Sequence, residues 1–218
     1  MGAMDPLDAP LFDRAFRQQL GHLFRWRRDV RRFRRDTLPE GAVDRLLDVA
    51  ASTPSVGLSE PWRFVHVVSA SRRIAIRENF AASNASALQE QPFGRAGTYA
   101  RLKLAGLDDA PCHLAVFADP DPVQGGGLGR RTMPQTVAYS VVMAIHTLWL
   151  AARAEGIGLG WISILDPAAA AGTLDVPPDW IFIAYLCLGY PAQDDDVPEL
   201  EREGWEKRCP SGSTTLTR

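Results

Sequence analysis

Cysteine is scarce in this chain: Cys112, Cys187 and Cys209 are the only three in 218 residues, and no Cys-x-x-Cys spacing occurs. An odd, scattered set excludes a disulfide framework and a zinc site, and it fits a reducing cytoplasmic compartment. Histidine is equally sparse. His22, His66, His113 and His146 lie in apolar segments without the His-x-x-x-His or His-Glu-x-x-His spacing of a metal centre, so no metal is expected. The Gly-x-Ser-x-Gly elbow is missing, which leaves nucleophilic hydrolysis unsupported. The Gly125-Gly126-Gly127 turn matches neither G-x-G-x-x-G nor the P-loop. Long apolar runs are lacking too. Residues 137–152, the most apolar stretch, are interrupted by Tyr139, Ser140, His146 and Thr147. That stretch is shorter than the roughly 20 residues a bilayer span needs, so no membrane partner is expected. Residues 1–6 have neither the basic nor the apolar region of a signal peptide and read as a cloning remnant.

What is present is ordinary globular composition, 46% hydrophobic and 23% charged, in a length suited to one domain over residues 7–218. The net charge of −2 hides an asymmetry. Arg25, Arg27, Arg28, Arg31, Arg32, Arg34 and Arg35 crowd together with only Asp29 opposing them, so this segment carries +6 and the rest of the chain −8. An acidic remainder would repel a polyanion, and nucleic acid is not expected as a partner. A single small phosphate and a solvated basic face both remain compatible with the cluster.

Apolar residues Leu11, Phe12, Phe16, Leu20, Leu23 and Phe24 recur every three or four positions and predict a helix ending at the arginines. A second helix is predicted after Pro39, with Val43, Leu46, Leu47, Ala50 and Ala51 on one face and Pro54 as its stop. Residues 52–61 form a Pro- and Ser-rich loop suited to mounting binding groups, followed by a strand over residues 64–68. Ser71 is expected to cap a helix through Phe80, and residues 81–97, with weak periodicity, read as a mobile cover. Strands are predicted over residues 113–118, 158–164 and 180–189. A long central helix spans residues 135–155, and a short one lies at residues 167–174. The apolar girth of the long helix implies burial in the core or at a subunit interface. The tail, residues 193–218, is polar, with no core periodicity beyond Leu200 and Trp205.

Three segments remain: Arg27-Arg28-Asp29-Val30-Arg31, Pro54-Ser55-Val56-Gly57 closing in Pro61-Trp62, and Gly158-Leu159-Gly160-Trp161. This combination resembles the FMN-dependent nitroreductase superfamily over residues 16–208. Within it, the same stretches are similar to the 5,6-dimethylbenzimidazole synthases. So are Leu102-Lys103-Leu104, residues 129–135, the run Leu148-Trp149-Leu150-Ala151-Ala152-Arg153-Ala154-Glu155-Gly156 and Trp161-Ile162-Ser163-Ile164. The resemblance implies an α+β fold, a nitroreductase-like mixed sheet surrounded by helices, and a homodimer assembled around the long helix with FMN between protomers. It implies that Arg27, Arg28, Asp29, Val30, Arg31, Ser55, Leu104, Gly160, Ser163 and Arg208 bind the flavin, with Arg208 joining the arginine motif on the phosphate. Small residues at Gly160 would let the backbone approach the flat ring.

Asp29 and Ser163 are the residues implicated in catalysis. The neighbouring cations favour an ionised Asp29, a base or an acceptor rather than an acid. The reaction implied is oxygen-dependent fragmentation of reduced FMN to 5,6-dimethylbenzimidazole and erythrose 4-phosphate. NAD(P)H would act indirectly, through a separate flavin reductase, and residues 81–104 would close as a lid. A conventional NAD(P)H-dependent flavin or nitro reductase and a non-catalytic flavin-binding redox module are the alternatives. Leu58 and Glu60 depart from the Asn and Gln common in nitroreductases, and Leu58 can make no amide bond to a flavin edge.

Overall fold

The computed structural model describes residues 10–209 and 215–218, so the segment read as a cloning remnant lies outside the described residues. Four strands form one sheet in the order β1 (Trp62–His66), β2 (Cys112–Ala118), β4 (Ile181–Gly189), β3 (Gly158–Ile162). All three pairings are antiparallel. The expected mixed sheet is therefore an antiparallel one, and its parallel component is a single bridge between Asp29 and Leu159.

Strand β2 explains the layering. Leu114, Val116 and Ala118 face α2 (Ala42–Ala51) and α5 (Thr136–Ala154). Ala115 and Phe117 face α3 (Ala70–Gln89) and α6 (Pro167–Leu174). A strand covered on both faces has no polar side, so its sequence is continuously apolar rather than alternating. Helix α5 is long and apolar enough by composition to cross a membrane. Its Val137, Val141, Ile145 and Leu148 edge is instead the middle of the core. Gly156, at φ 74°, turns the chain out of that helix into β3.

Helix α1 (Arg14–Trp26) is capped by Asp13 and buries no residue completely. Strand β1 starts two residues before the expected strand, because Trp62 and Arg63 pair with Ala118 and Phe117. Helix α3 is capped by Ser69, not Ser71, and continues to Gln89, and α4 (Phe93–Tyr99) follows. Residues 81–97, whose weak periodicity marked no helix, are thus mostly helical. The Asn79 amide exchanges hydrogen bonds with the Asp166 carbonyl (3.0 Å) and N–H (2.8 Å), tying α3 to the turn after β3. A four-residue helix α7 (Glu199–Arg202) lies in the polar tail.

Candidate functional site

After α1 the chain goes extended and runs along the open edge of β3. Arg27, the helix cap, has φ −70° and ψ 115°, and the Val30 N–H donates to the Leu159 carbonyl at 3.0 Å. Four residues of extended chain span about 13 Å, so Arg27 and Arg31 do not converge as a helical turn would make them. Their spacing of four would bring both onto one phosphate only if the chain turned helically here, and it is extended. Arg31 instead donates to Asp29 Oδ2 (2.9 Å) and to the Lys103 carbonyl (3.2 Å).

The glycines of β3 are explained by the same segment. A Cβ at Gly160 would overlap the Val30 carbonyl oxygen, and one at Gly158 would meet Val30 Cγ2 at 2.8 Å. The small residues admit a neighbouring backbone: Val30 occupies the space on the Cβ side of Gly160.

Asp29 uses both of its oxygens within the chain, Oδ1 accepting the Trp161 N–H at 2.8 Å and Oδ2 accepting Arg31 Nε–H. Its side chain is 31% exposed and that of Arg31 12%. The carboxylate is a clamp joining the arginine segment to β3. Any role as a base would be exercised from within those two bonds.

Most of the clustered arginines are offset by carboxylates. Arg25 pairs with Asp196, Arg32 with Glu199, Arg34 with Asp36 and Arg35 with Asp109. Asp194 and Asp195 add pairs to Arg153 and Arg202. The polar tail therefore offsets Arg25 and Arg32 of the basic cluster, while Arg34 and Arg35 are met by Asp36 and Asp109.

Arg27 and Arg28 have no carboxylate within ion-pair distance among the described residues. The Arg27 guanidinium lies over the Trp149 ring, 4.7 Å from its centroid. Arg28 donates to the Arg27 and Asp196 carbonyls and keeps a buried Nε–H without a hydrogen-bond partner. Burial is the main cause that pulls both guanidiniums below their ordinary pKa. The Arg208 charge lowers both further, while Asp29 opposes the shift at Arg27. Arg28 and Arg208 line one cleft of about 290 Å³, shared with Arg25, Asp196 and Glu201. Two guanidiniums pulled below their ordinary pKa beside the Arg208 charge, with an unspent buried donor on one of them, suit a compact anion such as a phosphate monoester.

The remaining expected residues are spread around this centre. Leu104 is half-buried, next to the Lys103 carbonyl that Arg31 holds. Ser163 is exposed just past the end of β3, and the carboxylate oxygens of Asp29 bond Trp161 and Arg31 rather than Ser163. Ser55 Oγ accepts the Glu60 N–H at 3.0 Å, while the next residue, Val56, donates its N–H to Ser140 Oγ near the start of α5. Trp149 lies nine residues further along that helix, about 13 Å, so one chain does not bring Ser55 to the arginines. In the same loop Leu58 and Glu60 adopt left-handed φ of 55° and 44°. The loop packs on the Gly125 turn, where a Cβ would meet the Gly57 carbonyl at 2.6 Å.

A second apolar stripe, Tyr139, Val142 and Met143, stands 55%, 43% and 47% exposed on α5. It lies opposite the edge that packs on the sheet.

The nitroreductase family model matches residues 24–190. The chain is 57% identical over 201 residues to the 5,6-dimethylbenzimidazole synthase of Rhodospirillum rubrum, covering 92% of this chain and 95% of that one. It is 49% identical to the enzyme of the same name from Rhodobacter capsulatus, covering 92% and 97%. Among solved structures, an oxidised iodotyrosine deiodinase with bound FMN and 3-iodo-L-tyrosine superposes with a TM-score of 0.68. Its sequence identity is 23%, and 81% of this chain and 91% of that chain are covered.

Proposed function

The chain belongs to the nitroreductase family, and from that premise we propose that it is a 5,6-dimethylbenzimidazole synthase, consuming reduced FMN and dioxygen and releasing erythrose 4-phosphate. The observation that carries this reading is the convergence of Arg27 and Arg28 with the Arg208 charge, none of the three guanidiniums having a carboxylate within ion-pair distance among the described residues. Bound there, reduced FMN would supply its dimethylbenzene ring and the two attached nitrogens to the benzimidazole and the four phosphate-bearing carbons of its five-carbon ribityl chain to erythrose 4-phosphate.

Arg27, Arg28 and Arg208 hold the phosphate. Arg31 and Asp29 lock the extended segment on β3, so the phosphate donors are fixed relative to the strand end that carries Ser163. Ser163, whose hydroxyl is exposed, is the group available to hydrogen-bond a ligand at that end. Asp29 carries the base or acceptor role through an oxygen it would share with the Trp161 N–H or Arg31. Helices α3 and α4 with residues 100–104 supply the cover that excludes water.

Two protomers would meet through the Tyr139, Val142 and Met143 stripe, with flavin between them. That arrangement suits Ser55 and the arginines, which sit toward opposite ends of α5. The enzyme would work in the cytoplasm, and its reduced flavin would come from a separate NAD(P)H-dependent flavin reductase.

The test is to reduce the protein with one equivalent of FMN anaerobically, admit air, follow the flavin absorbance and separate the products chromatographically. Irreversible loss of flavin with benzimidazole appearing is expected. Prompt recovery of intact FMN overturns the reading in favour of a reductase, recognised by NADPH-driven turnover of a nitroaromatic, or of a redox module without turnover. Replacing Ser163 by Gly is expected to lower the benzimidazole yield, and an unchanged yield removes its assigned role.

A further inference from the structure

Trp149 sits in the long run on α5 that the sequence singled out, yet neither the phosphate donors nor the catalytic pair includes it. It makes two separate contacts with the arginine segment. Its ring lies under the Arg27 guanidinium at 4.7 Å, and its Nε1–H donates to the Arg28 carbonyl at 3.1 Å. The ring is itself braced by Trp161, with centroids 6.5 Å apart. The first contact selects a rotamer of Arg27, a side chain with several free torsions and no carboxylate to fix it. The second holds the peptide between Arg28 and Asp29, just past the point where α1 ends and the extended run begins.

We propose that Trp149 is the positioning residue of the anion site, an indole platform that presents the Arg27 and Arg28 guanidiniums to a phosphate monoester before the ligand arrives. The inference rests on the reading that this site takes the flavin phosphate, and it adds a claim about how the site is built. A guanidinium laid flat on an indole exposes its N–H edge, which is the edge a phosphate binds. Holding that edge in place beforehand removes the ordering cost that binding would otherwise carry. Trp149 touches the phosphate through Arg27 and Arg28 only, so its effect must depend on the ligand's phosphate.

The experiment titrates the full-length protein with oxidised FMN and with riboflavin, which differ only in the phosphate, for the wild type, Trp149→Phe, Trp149→Leu and Arg27→Ala. The wild type is expected to favour FMN strongly over riboflavin, and no preference would overturn the phosphate-site reading itself. Given that preference, Trp149→Leu should weaken FMN binding by roughly three- to thirtyfold, the range for loss of a cation–π contact, with riboflavin changed less than about twofold. Trp149→Phe keeps an aromatic face and loses the N–H, so it should fall between the wild type and Trp149→Leu.

In the Arg27→Ala background, adding Trp149→Phe should shift the FMN to riboflavin ratio less than it does in the wild type. An unchanged ratio in both Trp149 variants overturns the proposal. So does a parallel loss of both ligands in Trp149→Phe, which conserves most of the ring volume and would then report on folding alone.

Discussion

Replacing Asp29 by alanine tests whether this carboxylate is architecture, chemistry or both. The change leaves the Trp161 N–H and the Arg31 Nε–H without their acceptors. An orphaned, partly buried amide costs about 1–3 kcal/mol. A guanidinium left without its partner adds about 1 kcal/mol once the solvent reaching Asp29 is allowed for. Asp29→Ala is therefore expected to lose about 2–4 kcal/mol. Asp29→Asn, whose Oδ1 can still accept from Trp161, should lose about half of that. Urea unfolding at fixed protein concentration reads both numbers, since a dimer's midpoint depends on concentration. A loss below about 0.5 kcal/mol for Asp29→Ala would refute the clamp. The comparison also separates the two roles. If Asp29 acts as a base as well, folded, flavin-bound Asp29→Asn should make benzimidazole at least about a hundredfold more slowly, the usual worth of general base catalysis. If it only clamps, product formation should follow the modest loss of stability.

Other outcomes follow from the same geometry. Gly160→Ala forces a methyl into the Val30 carbonyl, so it should cost about 2 kcal/mol or more and lower FMN affinity by displacing the arginine segment, both visible in thermal melts and flavin titration. His113 is buried, donates its Nε2–H to the Ala110 carbonyl (3.2 Å), accepts the Tyr185 hydroxyl at Nδ1 (3.0 Å), and has its pKa pushed down to about 4, chiefly by burial and further by Arg73. Below pH ~6.5 the unfolded chain takes up a proton there that the folded chain refuses. The stability His113 supports is thus complete above that pH and declines as pH falls toward 4, by about 2 kcal/mol at pH ~5. Urea midpoints of the wild type and His113→Gln at pH ~7.5 and ~5 check this, and equal pH slopes would contradict it. Val142→Glu places a charge in the exposed stripe of α5 and should convert a dimer to monomers in sedimentation, with weakened FMN binding.

Much of the fold is legible because its signals are local. The three-and-four spacing of Val141, Ile145, Leu148 and Ala152 marks α5, Pro54 and Gly156 mark where α2 and α5 must give way, and continuous apolar runs mark β2 and β4. The cap of α3 was misplaced by two residues because Ser69 and Ser71 are equally good caps, and their hydroxyls bond each other. The half of α3 beyond Phe80 was missed because its apolar residues form no stripe. The contacts of α3 with α6 and the turn before it come from Ile76, Asn79 and Phe80, ahead of that half.

The site is another matter. Composition by itself located a basic cluster next to a helix end, and it identified the residue types suited to a phosphate. Which arginines remain available is a question of distances across the chain. Asp109, Asp196 and Glu199 lie far from the cluster in sequence, and only their return to it in three dimensions neutralises Arg25, Arg32 and Arg35 while leaving Arg27 and Arg28 for a ligand. Gly160 shows the same division. A glycine in a strand announces that something comes close, and the spacing of residues cannot say whether that neighbour is a ligand or a second backbone. Tertiary packing put Val30 there, because the open edge of β3 had donors and acceptors to satisfy and the extended arginine segment was the chain that met them.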